Sequence, residues 1–342
     1  MKKIIYLGDL NSPHFAKFTK YFADKCQLTV ISAARPGAYS RERHGNIEVN
    51  YLNRYTGTKF DYLINLSLVK KIINSLQPDL IHAHYATSYG LLAAINSSRI
   101  PLIISTWGSD IIEFANISFI HRALISKVLS GATKIMATSK FLKKKTSELI
   151  TCDHKPYIYV TPFGIDTSIF NGDENHLMSK NIEGKTINFF YAKSLEKYYN
   201  HLFVFEAIAT MKKNFPNVNI KLTLAGEGSL KPQFEDAIAN LGIQENVEFK
   251  GLASQNEVVE ILKNTDLVLM PSISESYGVF ALEAQAMGVP VVVSDAGGLP
   301  EVVLEGKTGF IIPLKEKGRF FDVLACLIKN RELRLKMGIN GI

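Results

Sequence analysis

Residues 274–303 read SESYGVFALEAQAMGVPVVVSDAGGLPEVV, and this stretch decides the fold class. The segment after Gly278 is predicted to be a helix, and the Val-rich run at 290–295 is predicted to be a strand. A run that is apolar throughout, rather than alternating, is typical of a strand buried on both faces of a parallel sheet. The stretch therefore predicts one helix–strand unit, with Glu275 before the helix and Glu283 inside it.

The same alternation of strand and helix extends along the whole chain. Val- and Ile-rich runs occur at 3–9, 28–33, 79–85, 101–107, 134–139 and 157–164, and again at 186–193, 219–228, 246–251, 266–272, 290–295 and 308–313. Most gaps contain an amphipathic stretch with apolar residues at helical spacing, as at 203–215. Repeated strand–helix units predict an α/β chain of two Rossmann-like domains, each a doubly wound parallel sheet.

A break in this alternation separates the two predicted domains. Residues 166–185 have no periodicity and many polar and turn residues, which is typical of a linker. We therefore expect an N-terminal domain at 1–165 and a C-terminal domain at 186–342. The chain length of 342 residues fits two domains of roughly 150 to 170 residues better than one.

Composition restricts the class of protein. The apolar fraction of 46% can supply two cores, and no apolar run approaches the roughly 18 residues that span a bilayer. The start, MKKIIYLGDLN, reads as a first strand because its apolar stretch is too short for a signal peptide. The three cysteines have no paired spacing, which favours a reducing cytoplasm over disulfides or a zinc site. We expect a soluble cytoplasmic protein.

Glycine-containing turns follow several predicted strands, at the end where parallel sheets bind ligands. They are TWGSD (106–110), GEGSL (226–230) and SDAGG (294–298). No GxGxxG follows the first strand of either domain, and the chain has no Walker P-loop motif. These absences argue against a nicotinamide dehydrogenase and against a P-loop enzyme.

The helix start near Gly278 is the strongest candidate site in these residues. Unpaired backbone N–H groups and the helix dipole make such a start an anion site, and a glycine lets a phosphate approach the backbone. Glu275 and Glu283 flank it, and a carboxylate can accept hydrogen bonds from two hydroxyls of a sugar or ribose. The alternative interpretation is that Glu275 and Glu283 are ordinary solvated residues of the helix. The two glutamates alone do not decide between a ligand site and this alternative.

Residues 275–313 resemble the signature of the retaining nucleotide-sugar glycosyltransferases of family 4, which have the GT-B fold; they read ESYGVFALEAQAMGVPVVVSDAGGLPEVVLEGKTGFIIP. The two glutamates of that signature, with seven residues between them, match Glu275 and Glu283. Further similar segments occur in family order at 11–32, 79–85, 105–111, 159–170, 226–230 and 249–272. The resemblance covers most of the chain and implies two Rossmann-like domains that face a cleft.

The resemblance also implies roles for residues of the C-terminal domain. In this family the donor nucleotide sugar lies against that domain, with its ribose on the second glutamate, its sugar on the first and its diphosphate on the helix start. The donor-binding residues implied here are Glu283, Tyr277, Gly278, Val279, Gly226 and Gly228. A basic pair four residues apart completes the site, and the catalytic residues implied here are Lys193, Lys197 and Glu275.

The basic pair has a physical purpose. Cations beside the diphosphate stabilise the negative charge that grows as the sugar–phosphate bond breaks. No DxD carboxylate pair ends a predicted strand, so we expect neither a metal nor a cofactor beyond the donor substrate. The family usually has Gly and Arg where this chain has Ala192 and Lys193, and Gly where it has Tyr198. A lysine cannot reproduce the arginine fork, so contact with the diphosphate is expected to differ.

The N-terminal domain supplies the candidates for sugar or acceptor contacts, which are Trp107, Asp110, Gly8 and His14. Many family members have His in place of Trp107, whose indole either stacks on a sugar or packs in the core. Gly8 stands alone where the family often has paired glycines. His82 and His84 alternate within one strand and share a face, and we expect a structural or acceptor-side role for both.

The implied function is transfer of a sugar from a nucleotide-diphosphate donor to an acceptor hydroxyl with retention, in cell-envelope polysaccharide or glycolipid synthesis. The alternative is a catalytically weak or inactive GT-B protein that binds nucleotide sugar or a partner, and a GT-B nucleotide-sugar epimerase is a third. The end, RELRLKMGINGI (331–342), stops where relatives continue into a final helix. We expect either that this chain is a truncated copy or that its C-terminal end differs from that of its relatives.

Charge is distributed unevenly along the chain. Residues 1–170 contain 21 Lys and Arg against 11 Asp and Glu, a net of +10, and the remainder contains 18 against 21, a net of −3. The densest basic cluster is Lys143, Lys144 and Lys145. Such a face is attracted to acidic membranes, whereas nucleic acid is not expected without an aromatic-interleaved basic patch. We expect peripheral contact with the inner face of the cell membrane and a glycan or lipid-linked acceptor; a solubilising surface is the alternative.

Overall fold

The computed structural model describes residues 1–34, 47–58, 60–153, 155–179 and 186–342. It divides into two compact units, Met1–Phe163 and Gly164–Ile342. Each unit has a parallel β-sheet and a hydrophobic core of its own. This confirms the predicted α/β fold class of two Rossmann-like domains.

The first unit contains a seven-stranded sheet in the order β3-β2-β1-β4-β5-β6-β7, and every pairing is parallel. Its strands are β1 (Lys3–Leu7), β2 (Gln27–Ser32), β3 (Glu48–Tyr51), β4 (Leu80–His84), β5 (Leu102–Thr106), β6 (Lys134–Ala137) and β7 (Tyr157–Val160). Its described α-helices are α1 (Pro13–Phe22), α2 (Phe60–Ile64), α3 (Leu66–Leu76), α4 (Ser88–Asn96), α5 (Phe119–Ser130) and α6 (Lys140–Ser147).

Strand β3 is absent from the sequence prediction. Its four residues, EVNY, include no fully buried side chain, and the strand forms one edge of the sheet beside β2. An edge strand has one neighbour only, so its sequence lacks the continuous apolar run of strands buried on both faces.

The second unit contains a six-stranded sheet in the order β10-β9-β8-β11-β12-β13, again with parallel pairings. Its strands are β8 (Thr186–Ala192), β9 (Asn219–Ala225), β10 (Val247–Gly251), β11 (Leu267–Met270), β12 (Val291–Val293) and β13 (Gly309–Ile311). Its described α-helices are α7 (Glu174–Ser179), α8 (His201–Asn214), α9 (Lys231–Asn240), α10 (Gln255–Lys263), α11 (Val279–Ala286), α12 (Lys317–Lys329) and α13 (Arg331–Gly341). In the part of the chain that the structure describes, no helix has both the length and the apolarity needed to cross a bilayer.

The segment predicted as a linker, 166–185, is only partly described. Residues 166–179 belong to the second unit, where Phe170 and Leu177 are buried and α7 forms. Two isolated apolar residues have no period, so the sequence gives no sign of this packing. Residues 180–185 lie outside the described residues.

Each sheet has one point at which the order of strands reverses. β1 lies beside β4 in the first unit, and β8 lies beside β11 in the second. Loops after such a strand pair diverge to opposite faces, and ligands of open parallel sheets bind there, outside the carboxyl ends of the strands. In the second unit these two loops carry Lys193 and Glu275.

Candidate functional site

A buried ion pair lies at the reversal point of the second sheet. The Nζ of Lys193, just after β8, is 2.6 Å from Oε2 of Glu275, in the loop after β11, and their side chains are 16% and 9% exposed. The two strands are hydrogen-bonded neighbours, so their carboxyl ends bring residues 82 positions apart in the sequence into contact. The structure therefore joins two of the three predicted catalytic residues.

The surroundings of Lys193 keep its side chain charged. Burial acts to lower the pKa of this lysine. The nearby Glu275, Tyr199 and Glu283 raise that pKa by more than burial lowers it, so the net pKa is above the usual value of a lysine. The Nζ also lies 5.1 Å from the centre of the Tyr199 ring, which faces the cation. Lys193 and Glu275 are in contact, and Glu283 is near enough to act on the charge of Lys193. Contact of this cluster with a donor stays a prediction.

The helix start predicted near Gly278 is present. Gly278 is the N-cap of α11, with φ 101° and ψ 44°, and no side chain caps the helix. Ala281 donates its N–H to the carbonyl of Gly278 at 3.0 Å, so the helix start offers an anion the amides of Val279 and Phe280. An anion would meet both the helix dipole and these N–H groups there.

The turn at 296–298 supports the Glu275 loop from behind. Gly297 has φ 59°, and a Cβ on it would lie 1.8 Å from the Glu275 carbonyl oxygen. Gly298 donates its N–H to that same carbonyl at 3.0 Å. Only glycines allow the two backbones to approach so closely, which explains the second glycine turn of the opening stretch.

Lys197 lies in a short 3₁₀ turn, Lys197–Tyr199, and its side chain is exposed. The backbone of this turn is tied to the loop after β11, because the N–H of Ile273 donates to the carbonyl of Tyr198 at 2.8 Å. The turn and the Glu275 loop are therefore held together by the backbone. The exposed side chain of Lys197 extends from this frame, and Glu275 pairs with Lys193 instead.

Tyr191 is a supporting residue that the sequence analysis does not single out. Its ring is fully buried in β8, and its hydroxyl donates to the carbonyl of Tyr199 at 2.7 Å and lies 3.1 Å from Oγ of Ser272. A tyrosine in the apolar run FFYA (189–192) at the end of β8 was the available signal, because a buried hydroxyl needs a partner.

Gly226 and Gly228 pack against the Lys193 loop. Their added Cβ atoms would lie 2.2 Å and 2.3 Å from the carbonyl oxygens of Lys193 and Leu195. Close backbone approach thus accounts for both glycines, and their contact with a donor stays a prediction. Beside them lies a cavity of about 250 Å³ at the ends of β8, β9 and β10, lined by Ala192, Lys193, Ser194, Ala225, Gly226, Glu227, Leu252, Ala253 and Val258.

Asp110, a predicted sugar or acceptor contact, is placed inside its loop. Its carboxylate is 1% exposed and accepts hydrogen bonds from the amides of Ala86, Trp107 and Gly108 at 2.8, 3.2 and 2.9 Å. Burial raises the pKa of Asp110, and these amides counteract the rise. The side chain holds together the loops after β4 and β5. This observed role is a positioning one, and direct contact of Asp110 with a sugar or acceptor stays a prediction.

The other candidates of the first unit belong to an aromatic cluster. Trp107 is 7% exposed and packs against Tyr85 and Phe163, with ring centres 4.8 and 5.1 Å away. This fits the packing alternative, and contact of Trp107 with a sugar stays a prediction. His14 stacks on Phe163 at 4.2 Å. Gly8 is buried against the ring of Phe15, where a Cβ would lie 2.2 Å from that ring.

His82 and His84 share a face of β4, as the alternation predicts. Their rings stack at 4.3 Å, and both are buried. Nε2 of His82 lies 2.8 Å from Oγ of Ser105, while His84 packs against Phe15 and Trp107. Burial lowers the pKa of His82 to about 3 and holds that of His84 well below its usual value. These neutral rings are part of the core.

Two protein families match the chain. The family described as Glycosyl transferases group 1 matches residues 173–342, which lie in the second unit. The family described as Glycosyl transferase 4-like matches residues 3–139, which lie in the first.

Known proteins similar to this chain include glycosyltransferases. An uncharacterised glycosyltransferase of Methanocaldococcus jannaschii is 27% identical over 312 residues, covering 89% of this chain and 81% of that protein. The N-acetyl-alpha-D-glucosaminyl L-malate synthase of Bacillus anthracis is 28% identical over 322 residues, covering 90% and 79%. The solved structure of Anabaena HepE in complex with UDP and glucose has a TM-score of 0.79 at 20% identity, covering 100% of this chain and 94% of that one. At that identity the structural likeness shows the fold.

Proposed function

The chain belongs to the GT-B glycosyltransferases, and we propose that it transfers a sugar from a nucleoside-diphosphate donor to an acceptor hydroxyl with retention of configuration. The observation that carries this proposal is the cluster of Lys193, Glu275 and Glu283 beside the uncapped start of α11. It combines a largely buried cation, two carboxylates and the backbone N–H groups of Val279 and Phe280. A sugar diphosphate needs these three kinds of partner.

In this proposal, different residues bind the diphosphate, the ribose, the sugar and the base of the donor. The amides of Val279 and Phe280 and the ammonium groups of Lys193 and Lys197 hold the diphosphate. Glu283 accepts hydrogen bonds from the ribose hydroxyls, and Glu275 accepts them from the sugar. The cavity of about 250 Å³ beyond Lys193, with Leu252 exposed at its rim, receives the base. HepE was solved with UDP, so a uridine donor is the first to test.

The proposed reaction needs no metal. The bond between the anomeric carbon and the diphosphate oxygen breaks, and the acceptor oxygen bonds to that carbon on the same face. The acceptor proton passes to the leaving diphosphate. The two lysines and the helix start offset the charge that develops on the diphosphate, which is where fixed cations and dipoles lower a barrier most.

A donor screen tests the proposal directly. Purified protein is incubated with a panel of UDP-, GDP- and ADP-sugars with and without candidate acceptors, and released nucleoside diphosphate is measured in EDTA. Turnover with one donor class is expected to persist in EDTA, and NMR of the product should show the donor's anomeric configuration. An inverted product would exclude retention, and activity that EDTA abolishes and manganese restores would exclude the metal-free mechanism.

The acceptor side of the proposal rests on charge. Residues 1–170 carry a net charge of +10, whereas the remainder carries −3. Basic surfaces attract anionic lipid with about 1 kcal/mol per basic residue near the membrane. We therefore place the reaction at the inner face of a membrane, with a glycan or lipid-linked acceptor in cell-envelope synthesis. Binding to anionic vesicles that high salt reverses is the expected result.

A further inference from the structure

Three large apolar side chains stand exposed together at the start of α5. Ile117, Phe119 and Ile120, here called the apolar wedge, are 62%, 81% and 63% exposed. Ser118 lies among them as the N-cap of the helix, and its Oγ accepts from the N–H of His121 at 3.4 Å. The cap fixes the direction in which the chain enters α5, and so it fixes the wedge on the surface.

The wedge contributes little to the core of the first unit. The buried side of α5 is formed by other residues, namely Ile125, Ser126, Val128 and Leu129. Leaving three neighbouring apolar side chains in water forgoes the stabilisation that their burial would give, and contiguous exposed patches of this kind mark sites of contact with a partner or membrane.

A basic groove continues from the wedge along the same helix. It has a volume of about 530 Å³ and is lined by Phe119, Arg122, Ala123, Ser126, Lys127, Ser130, Leu149, Thr151 and Cys152. Among the described residues, the lining of this groove includes two cations, Arg122 and Lys127, and no Asp or Glu. The Arg122 guanidinium donates to the carbonyl of Glu148 at 3.3 Å, which holds it at the groove. An apolar wedge beside a cationic groove matches acyl chains beside lipid phosphates.

The wedge also lies at the functional edge of its sheet. α5 follows β5 through the loop that contains Trp107 and Asp110, so its start is at the carboxyl ends of the parallel strands. That is the edge at which such sheets bind ligands. A membrane held there would lie beside the acceptor side of the first unit.

The lysine cluster singled out by the sequence is less suited to this contact. Lys145 pairs with Glu148 at 3.1 Å, and the Nζ of Lys143 lies 5.1 Å from the centre of the Tyr157 ring. Two of its three lysines therefore already have partners on the protein. The ion pair of Lys145 is exposed and weak, but it still offsets one charge of the cluster.

We propose that the apolar wedge inserts among the headgroups of an anionic phospholipid membrane while Arg122 and Lys127 contact lipid phosphates. This inference rests on the membrane attachment in the proposed function and names the element that performs it. The partner of the wedge is the bilayer and not a soluble anion. A soluble anion would leave Phe119 and Ile120 in water, whereas acyl chains would bury them and so lower their free energy.

Vesicle co-sedimentation of the whole chain tests the wedge. The variant Phe119→Ser/Ile120→Ser is compared with Ile95→Ser, which removes an exposed isoleucine from α4 of the same unit. On vesicles that contain phosphatidylglycerol, the wedge variant should bind about tenfold or more weakly than wild type, and the control should bind normally. Equal binding of wedge variant and control would overturn the proposal.

Charge is tested with a second matched pair. Arg122→Gln/Lys127→Gln should weaken vesicle binding more than Lys70→Gln/Lys71→Gln, which removes the same charge from the exposed side of α3. Equal losses of vesicle binding in the two double variants would mean that binding depends on net charge alone. That result would overturn the role of the groove.

Insertion has its own readout. In Phe119→Trp the new indole should be quenched by brominated lipids, whereas an indole in Ile95→Trp should not, and signal from Trp107 is subtracted using wild type. Absence of quenching at 119 would overturn insertion. None of these variants alters a residue proposed to contact the donor, so nucleoside diphosphate release in solution should be unchanged. A wild type that turns over donor but binds no vesicle would overturn this inference and leave the transferase proposal standing.

Discussion

The ion pair between Lys193 and Glu275 determines how the candidate site behaves without a ligand. Both side chains are largely buried, and each provides the counter-charge that the other needs. Removing one partner of such a pair leaves an uncompensated charge, whereas removing both leaves none. The pair therefore couples the stability of the second unit to residues proposed to act on the donor.

A double-mutant cycle measures this coupling. Lys193→Met should lower the free energy of unfolding by about 3 kcal/mol, because Glu275 is left buried and unpaired. Lys193→Met/Glu275→Leu should recover most of that loss. Urea unfolding followed by circular dichroism gives the four free energies. Additive effects of the two substitutions would show that the pair is not coupled.

Lys197 differs because it is exposed and makes no comparable ion pair with Glu275. Lys197→Ala should leave stability nearly unchanged and lower kcat/KM by roughly 10- to 150-fold, which corresponds to about 1.5–3 kcal/mol for a hydrogen bond to a charged group. Lys221→Ala, an exposed lysine on β9, is the control. An unchanged kcat/KM in Lys197→Ala would remove this residue from the site.

Residue by residue, the sequence predicts the second unit better than the first. Glu275, Glu283 and Lys193 lie together because they follow neighbouring strands of a parallel sheet, a placement that motif order and topology determine. Their direct ion pair depends on side-chain directions, which spacing does not give. Asp110 was not predictable as a buried side chain, since a polar residue after a strand is equally typical of a surface loop.

Among the elements, two glycine turns that follow β12 differ in what they face. Gly297 and Gly306 both have left-handed φ values, 59° and 70°, but only Gly297 faces backbone at contact distance. Any Cβ at a left-handed position costs about 1–2 kcal/mol. At Gly297 a Cβ must in addition displace the Glu275 loop.

Gly297→Ala and Gly306→Ala therefore form a matched pair. Gly306→Ala should cost about 1–2 kcal/mol of stability and leave donor KM unchanged. Gly297→Ala should cost about 1–3 kcal/mol more, as overpacking does, and raise donor KM because Glu275 moves. Thermal unfolding and initial rates measure the two effects. Equal costs at the two positions would contradict the contact with Glu275.

The elements themselves were predictable where burial on both faces produced long apolar runs. β11 and β12 are fully buried and are Val- and Leu-rich, so the apolar runs in the sequence predict both strands. β3 was missed because an edge strand has no such run. Residues 166–179 read as a linker since Phe170 and Leu177 anchor them to the second unit without forming a periodic pattern.

For the molecule as a whole, both units share a sensitivity to acid. Burial lowers the pKa of His82 in the first unit to about 3 and that of His201 in the second to about 4, and it holds the pKa of His84 well below its usual value. In the unfolded chain these imidazoles bind protons near pH 6.5. Between pH 6.5 and 4 the unfolded state therefore binds more protons than the folded state, and stability falls as the pH falls.

Acidification from pH 7 to 5 should weaken the first unit more than the second. Each buried histidine should cost about 2 kcal/mol over this range, hence about 4 for the first unit and about 2 for the second. The single tryptophan, Trp107, reports the first unit by fluorescence, and circular dichroism reports both in urea. His201→Phe should flatten the pH dependence of the second unit and leave the fluorescence midpoint unchanged. A fluorescence midpoint that stays constant between pH 7 and 5 would contradict neutral burial of His82 and His84.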